Sequence, residues 1–278
     1  MSQMIDPFLH NGFMQRALVA GILVSLTCAV VGTYVVLRGM AFIGDALAHG
    51  VLPGVAMATI LGLPTMLGAA VGAVVMIGGV GLITARSKLS NDTAIGLLFI
   101  GLLALGVVLV SSSDSLTGDL EAILFGQFLG VDTTDLLVQL IALLAVCAIS
   151  LFSARPFLLL CFDIDLVRTM GYKAQWYHRL MLLMIAATVV VSFQTVGSLL
   201  VFGMLLAPAG VGALLARRIG AMMLWAAGTG VLSTYVGLLA SYHFSWAAGA
   251  SVVLTAVAIF FLTLVFVSVR KSLTSANA

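Results

Sequence analysis

An all-α, polytopic membrane bundle of eight or nine spans is the fold class this sequence predicts, on three observations. The 278 residues are 62% hydrophobic and only 8% charged, with a mean hydropathy of +1.24. A soluble domain is about a quarter charged, so no water-facing surface can be assembled from this composition. Apolar runs near the ~20 residues that cross the hydrocarbon recur along the chain. When those runs are threaded through a bilayer, the basic residues sort almost entirely to one side.

The spans follow in order. The first, 16–37, comes after "MSQMIDPFLHN", which has no basic n-region and no cleavage site, so this span is read as retained rather than as a secretory signal. The second, 42–62, stops at the tight break "GLPT" (Gly62 to Thr65), and the third is 64–85. The fourth, 93–113, is entered from "SNDTAIG", where Asn91 and Asp92 are suited to cap a helix start. The fifth is 136–154, and the sixth and seventh, 180–197 and 199–216, are divided only weakly. That division and "GLPT" leave eight crossings open beside nine. The eighth and ninth are 220–241 and 248–269.

With nine spans and the N-terminus outside, Arg38, Arg86, Lys88, Arg155, Arg168, Lys173, Arg179, Arg217, Arg218, Arg270 and Lys271 fall on the cytoplasmic side. Only Arg16 falls outside, together with a connection carrying Asp114, Asp119, Glu121, Asp132 and Asp135. This places a multi-pass protein in a cell membrane, with its C-terminus in the cytoplasm. The apolar piece "AILFGQFLG" of the outer connection is too short to cross and reads as re-entrant or interfacial. The inner connection after the fifth span, about 156–178, mixes apolar and charged residues, as a membrane-surface or partner-docking segment would. No linker interrupts the chain, so 1–278 reads as one transmembrane domain.

Several function classes are excluded. A net charge of +2 gives no reason to expect a nucleic-acid partner. Cys28, Cys147 and Cys161 have no CxxC spacing and read as reduced packing residues. There is no HExxH, no GxSxG and no GxxxxGK[ST], so an ATP-driven process would need its ATPase from another polypeptide. An intramembrane enzyme would need a nucleophile or metal triad at one depth, and none can be assembled.

The polar residues inside the spans carry the chemistry. Asp45 and His49 in "GDALAHGVLPG" are spaced i, i+4 and share one helix face. An ionised carboxylate in lipid costs at least ~2.5–3.5 kcal/mol, so the pair faces protein or a watery cavity. Imidazole and carboxylate are good ligands for divalent first-row metals. Spacing leaves two readings open: a pair that hydrogen-bonds and stabilises packing, or a metal or proton path. Pro53 and Pro208 each remove a helix hydrogen bond within a span. Gly50/Gly54 and Gly68/Gly72 have the GxxxG spacing of close helix approach. His243, in "SYHFSW", reads as an interfacial anchor, and His10 and His178 read as solvated.

Together these segments resemble a known family. "VVLRGMAFIGDALAHGVLPGVAMA", "NDTAIGLLFIGLLALGVVL", "LFGQFLGV", "FDIDLVRTMGY", "VGSLLVFGMLLAPAG" and "GASVVLTAVAIF" occur in the order found in ABC-3 permeases, over roughly residues 7–270. These are the membrane subunits of bacterial ABC importers for zinc, manganese and sometimes iron(II). The resemblance implies a helical bundle of the ABC-importer permease type in the bacterial inner membrane. It implies a second permease copy, two cytoplasmic ATPase subunits and an extracytoplasmic metal-binding protein as partners. It places Asp45 and His49 on the path as metal-coordinating or gating residues, and Pro53 reads as the helix break beside them. It assigns ATPase coupling to Asp163, Asp165, Arg168 and Gly171. Ala48, Gly50 and Val167 stand where the family commonly has Ser, Ala and Ala, and no metal role is carried onto His243.

The expected function is therefore import of Mn²⁺ or Zn²⁺ by alternating access. The chain would bind no cofactor of its own, and ATP would act through the partner. The alternative is a proton-coupled secondary metal carrier that uses Asp45 and His49 as a relay.

Overall fold

The computed structural model of the protein describes residues 11–112, 130–162 and 164–276. They form α1 (Gly12–Leu37), α2 (Ala41–Gly50), α3 (Leu52–Ile60), α4 (Thr65–Arg86), α5 (Asn91–Ser111) and α6 (Thr133–Phe152). Then follow α7 (Ala154–Phe162), α8 (Ile164–Thr169), α9 (Ala174–Val196), α10 (Ser198–Leu215), α11 (Ile219–Phe244) and α12 (Ala248–Ala276). Among the described residues nine helices are long and apolar enough to cross a membrane, with α2 and α3 counting as one span. The two weak divisions are both real breaks. Gly62 (φ 66°) ends α3, and Gly197 (φ 82°) separates α9 from α10.

The break at Gly62 has a mechanism that Gly39 shares. Leu63 N–H bonds Ala58 O at 2.8 Å and Gly62 N–H bonds Thr59 O at 3.1 Å, the reversed pairing that closes a helix with a left-handed residue. Only glycine takes that conformation without strain. At the start of α5 the cap is Ser90, whose Oγ accepts from Thr93 N–H at 3.2 Å. Asn91 and Asp92 therefore sit one and two positions inside the helix rather than at its cap.

Three polar contacts show which helix ends lie together. Arg16 lies 3.7 Å from Asp132, so the starts of α1 and α6 share one end of the bundle. Tyr34 Oη and Ser150 Oγ are 2.9 Å apart and Arg38 Nη1 is 2.8 Å from His178 Nδ1, so the ends of α1 and α6 meet the start of α9 at the other end. An even number of crossings must separate α1 from α6, and α2–α3, α4 and α5 with α1 supply it. The apolar part of the outer connection, 122–130, falls but for Gly130 outside the described residues.

α1 is central and packs on α6, α10 and α11, while α12 packs on α10 and α11. Small residues set the spacing. A Cβ on Gly32 of α1 would strike the carbonyl of Leu205 in α10, and one on Gly237 of α11 would strike the backbone of Val252 in α12. Lipid supplies no hydrophobic drive between helices, so such close approach and interhelical hydrogen bonds hold the bundle. Ser25 Oγ meets Thr234 Oγ1 at 3.0 Å, and the fully buried Gln139 donates to Ser192 Oγ at 3.2 Å. Many other hydroxyls bond back to their own helix, as Thr33 Oγ1 does to Ala29 O at 2.7 Å.

The second half-bundle carries α2 and α3, packed on α4 and α5. Here both predicted glycine pairs are used, unequally. Gly54 and Gly68 approach until a Cβ on either would strike the other's carbonyl, and a Cβ on Gly72 would lie 2.8 Å from Val51 Cα. Gly50 is in ordinary contact, 3.4 Å from Met76 Cγ. Pro208 sits buried inside α10.

Candidate functional site

Asp45 and His49 sit on α2, as the spacing required. His49 Nε2 is 3.4 Å from Asp45 Oδ1, a turn apart. The rest of α2 is committed to packing: Ile43, Gly44, Ala46, Leu47, Ala48 and Gly50 are buried. Gly44 admits Leu205 of α10, whose Cδ2 would lie 2.8 Å from a Cβ there. The open face consists of Phe42, Asp45 and His49, at spacing i, i+3, i+7. The acid and the imidazole are 31% and 24% exposed in this single chain.

The imidazole is held from behind. Phe99 of α5 meets His49 edge to face, with ring centroids 5.8 Å apart. His49 Nδ1 is buried and has no partner among the described residues. One residue beyond Gly50, α2 gives way to α3, and Pro53 stands in the first turn of the new helix. Pro53 has no N–H, so the carbonyl of His49 lacks its α-helical donor. A backbone N–H at the Val51 cap turns back to that carbonyl instead, so what His49 presents at this level of the span is its imidazole. Among the described residues no group of three or more His, Cys, Asp or Glu could hold a metal. Two side chains cannot complete a tetrahedral or octahedral shell, so this pair alone would hold a cation weakly.

The cytoplasmic-side segment is a second polar and aromatic assembly. Phe157 of α7 is fully buried and meets Tyr34 of α1 edge to face at 5.3 Å and Tyr177 of α9 at 6.4 Å; Tyr172 meets Tyr177 at 5.7 Å. His178, read from sequence as solvated, is instead half-buried against Arg38. A guanidinium has only donors, so Arg38 donates and His178 Nδ1 accepts, which requires a neutral ring with its proton on Nε2. The sequence signal for this pairing was weak, because the partners are 140 residues apart. Burial pushes the Cys161 thiol up to about 11, partly offset by the nearby Arg38 charge, so it is a packing group and not a thiolate ligand.

Of the predicted coupling residues, Asp163 lies outside the described residues, and Asp165 and Arg168 belong to α8. Val167 is fully buried, whereas Phe162, Leu166 and Met170 are exposed. Gly171 (φ 80°) ends α8 by the same reversed pairing as Gly62, with Tyr172 N–H on Val167 O at 3.1 Å. His243 is exposed at the end of α11, its Nδ1 2.9 Å from Leu239 O and its ring 5.6 Å from that of Tyr242. It is remote in sequence and setting from α2, in keeping with an anchor.

Comparison with known proteins gives a consistent result. Residues 10–267 match the model of the ABC 3 transport family. The chain is 36% identical over 263 residues to the manganese transport system membrane protein MntC of Listeria innocua, covering 94% of this chain and 93% of that protein. It is 35% identical over 268 residues to a probable iron transport system membrane protein of Haemophilus influenzae, covering 96% and 98%. Its fold is similar to that in the structure of PsaBC from Streptococcus pneumoniae in complex with Fab, with a TM-score of 0.84, 34% identity and 94% of each chain covered.

Proposed function

Because the chain belongs to the ABC 3 transport family and is the membrane permease of a bacterial ABC metal importer, we propose that Asp45 and His49 line its ion path and that Mn²⁺ is its cargo. The observation that carries this reading is the open face of α2. Its buried residues pack against neighbouring helices, while the one acid and one imidazole of the span share the face that stays part-exposed. A pair kept only for packing would be turned inward. A pair facing lipid would cost several kcal/mol. A second copy of the chain set against this face supplies the remaining wall, and its own pair supplies the missing ligands. Sites that must release their ion bind it loosely, and two ligands per copy suit that.

Manganese is preferred over zinc because relatives across the full length are named for manganese, and others for iron. Carboxylate and imidazole accept all three ions, so the delivering protein outside the membrane sets the choice. Two ATPase subunits in the cytoplasm drive alternating access. They dock on α7 and α8, where Phe162, Leu166 and Met170 stand exposed beside Arg168 and Gly171. In liposomes, uptake of radiolabelled manganese is expected only when the ATPase partner and ATP are both present. Uptake by this chain alone under a proton gradient would overturn the reading in favour of a secondary carrier.

The docking segment has its own test. Gly171 needs a left-handed backbone, which Asn tolerates and Val does not. Gly171→Asn is expected to keep ATP hydrolysis coupled to uptake, and Gly171→Val to uncouple it while the complex still assembles. Equal coupling in both variants would count against α8 as the contact.

A further inference from the structure

We propose that the protein holds an anionic phospholipid of the cytoplasmic leaflet, with one acyl chain in a pocket between α1, α6, α7 and α11 and its phosphate on Arg155 and Arg218. The pocket has a volume of about 400 Å³ and is lined by Val30, Tyr34, Ser150, Ala154, Ile219 and Gly220 among others. Its lining is almost wholly apolar. The polar groups in its wall, Tyr34 Oη and Ser150 Oγ, bond each other at 2.9 Å and so ask nothing of an occupant. Beside it, Leu151 and Phe152 are 77% and 88% exposed, so the pocket opens outward from the bundle at membrane level. A pocket of this volume and polarity suits a hydrocarbon chain.

The rim specifies the other end of the occupant. Arg155 directly follows Ala154, and Arg217 and Arg218 directly precede Ile219. All three arginines are exposed, and no ion pair within 4.0 Å is found for any of them among the described residues. Hydrocarbon below and unpaired guanidinium groups above describe a glycerophospholipid with a net negative head group. The distribution of basic residues puts this end on the cytoplasmic side, where anionic lipids gather arginines at the surface. A second copy seated here by a two-fold axis would set the same arginines against each other, which disfavours it as the occupant. The path residues on α2 take no part, so the inference does not depend on the cargo.

Native mass spectrometry of the purified chain with added phosphatidylglycerol, phosphatidylcholine or glycerol 3-phosphate tests it. Phosphatidylglycerol should be retained about tenfold better than phosphatidylcholine, since each arginine near the surface contributes a substantial charge term. Arg155→Gln with Arg218→Gln should reduce it to the phosphatidylcholine level. A Cβ on Gly220 meets nothing within 4 Å, so Gly220→Phe can enter the pocket without striking the backbone and should abolish retention of both lipids. Cys147 also lines the pocket and is exposed. Its alkylation by N-ethylmaleimide should slow severalfold with phosphatidylglycerol in the unmodified protein and not in the Gly220→Phe variant. If Gly220→Phe does not fold, Met223→Trp fills the same space. Equal retention of the two lipids, retention in a filled pocket, or equal binding of glycerol 3-phosphate would overturn the proposal. So would efficient crosslinking of two copies through Leu151→Cys, which would show the pocket sealed by protein.

Discussion

His49→Ala is expected to lower metal uptake by more than about 100-fold while the complex with its ATPase still assembles. Losing even an outer partner of a metal ligand typically costs about 10–100-fold, and here the ring itself is removed. Structure should survive the change. The ring is part-exposed, it meets Asp45 on its own helix and the edge of Phe99 on α5, and its Nδ1 bonds nothing among the described residues. Asp45→Ala should do the same. Asp45→Asn keeps shape and loses charge, so it separates binding of the cation from filling of space. The measurement is uptake in cells carrying the full transporter, beside co-purification of the ATPase. Wild-type uptake in His49→Ala would remove this residue from the path.

Gly68→Val is expected to have the opposite profile, with loss of the folded protein and hence of everything else. Between α3 and α4 the backbones themselves touch at Gly54, Gly68 and Gly72. A valine at 68 would need two helices to separate by more than a methyl group, beyond the ~1–3 kcal/mol of ordinary overpacking. Gly78→Val serves as the control, because a Cβ there meets nothing within 4 Å. Thermal unfolding and membrane yield should distinguish the two glycines on one helix. Equal tolerance at 68 and 78 would show that the seam is not what holds α3 to α4.

Much of this was legible in the sequence, for physical reasons. Spans are legible because hydrocarbon demands length and apolarity from local sequence alone. The break at Gly62 could be placed because only a few residues end a helix that sharply. Asp45 and His49 stood out because charge is costly in lipid. Asn91 and Asp92 were misplaced by one and two positions because three successive residues, Ser90 to Asp92, are all good caps. His178 was misread because its partner, Arg38, is distant in sequence. Which of the 29 glycines are in tight contact was likewise illegible, since Gly50 and Gly54 have equal claims by spacing and only Gly54 meets a neighbouring backbone.

The aromatic cluster of Tyr34, Phe157 and Tyr177 has a mechanical consequence. It grips the last turn of α1, and from that turn only Arg38, Gly39 and Met40 lead to α2. In the proposed cycle a stroke delivered at α8 therefore travels through a stiff clamp and a three-residue crank to the helix that bears the ion ligands. The lever arm is short: Asp45 is the fifth residue of α2. Small displacements at the ATPase would then become small, well-timed rotations of the ligand pair, which is the amplitude needed to open a path one ion wide without opening the membrane.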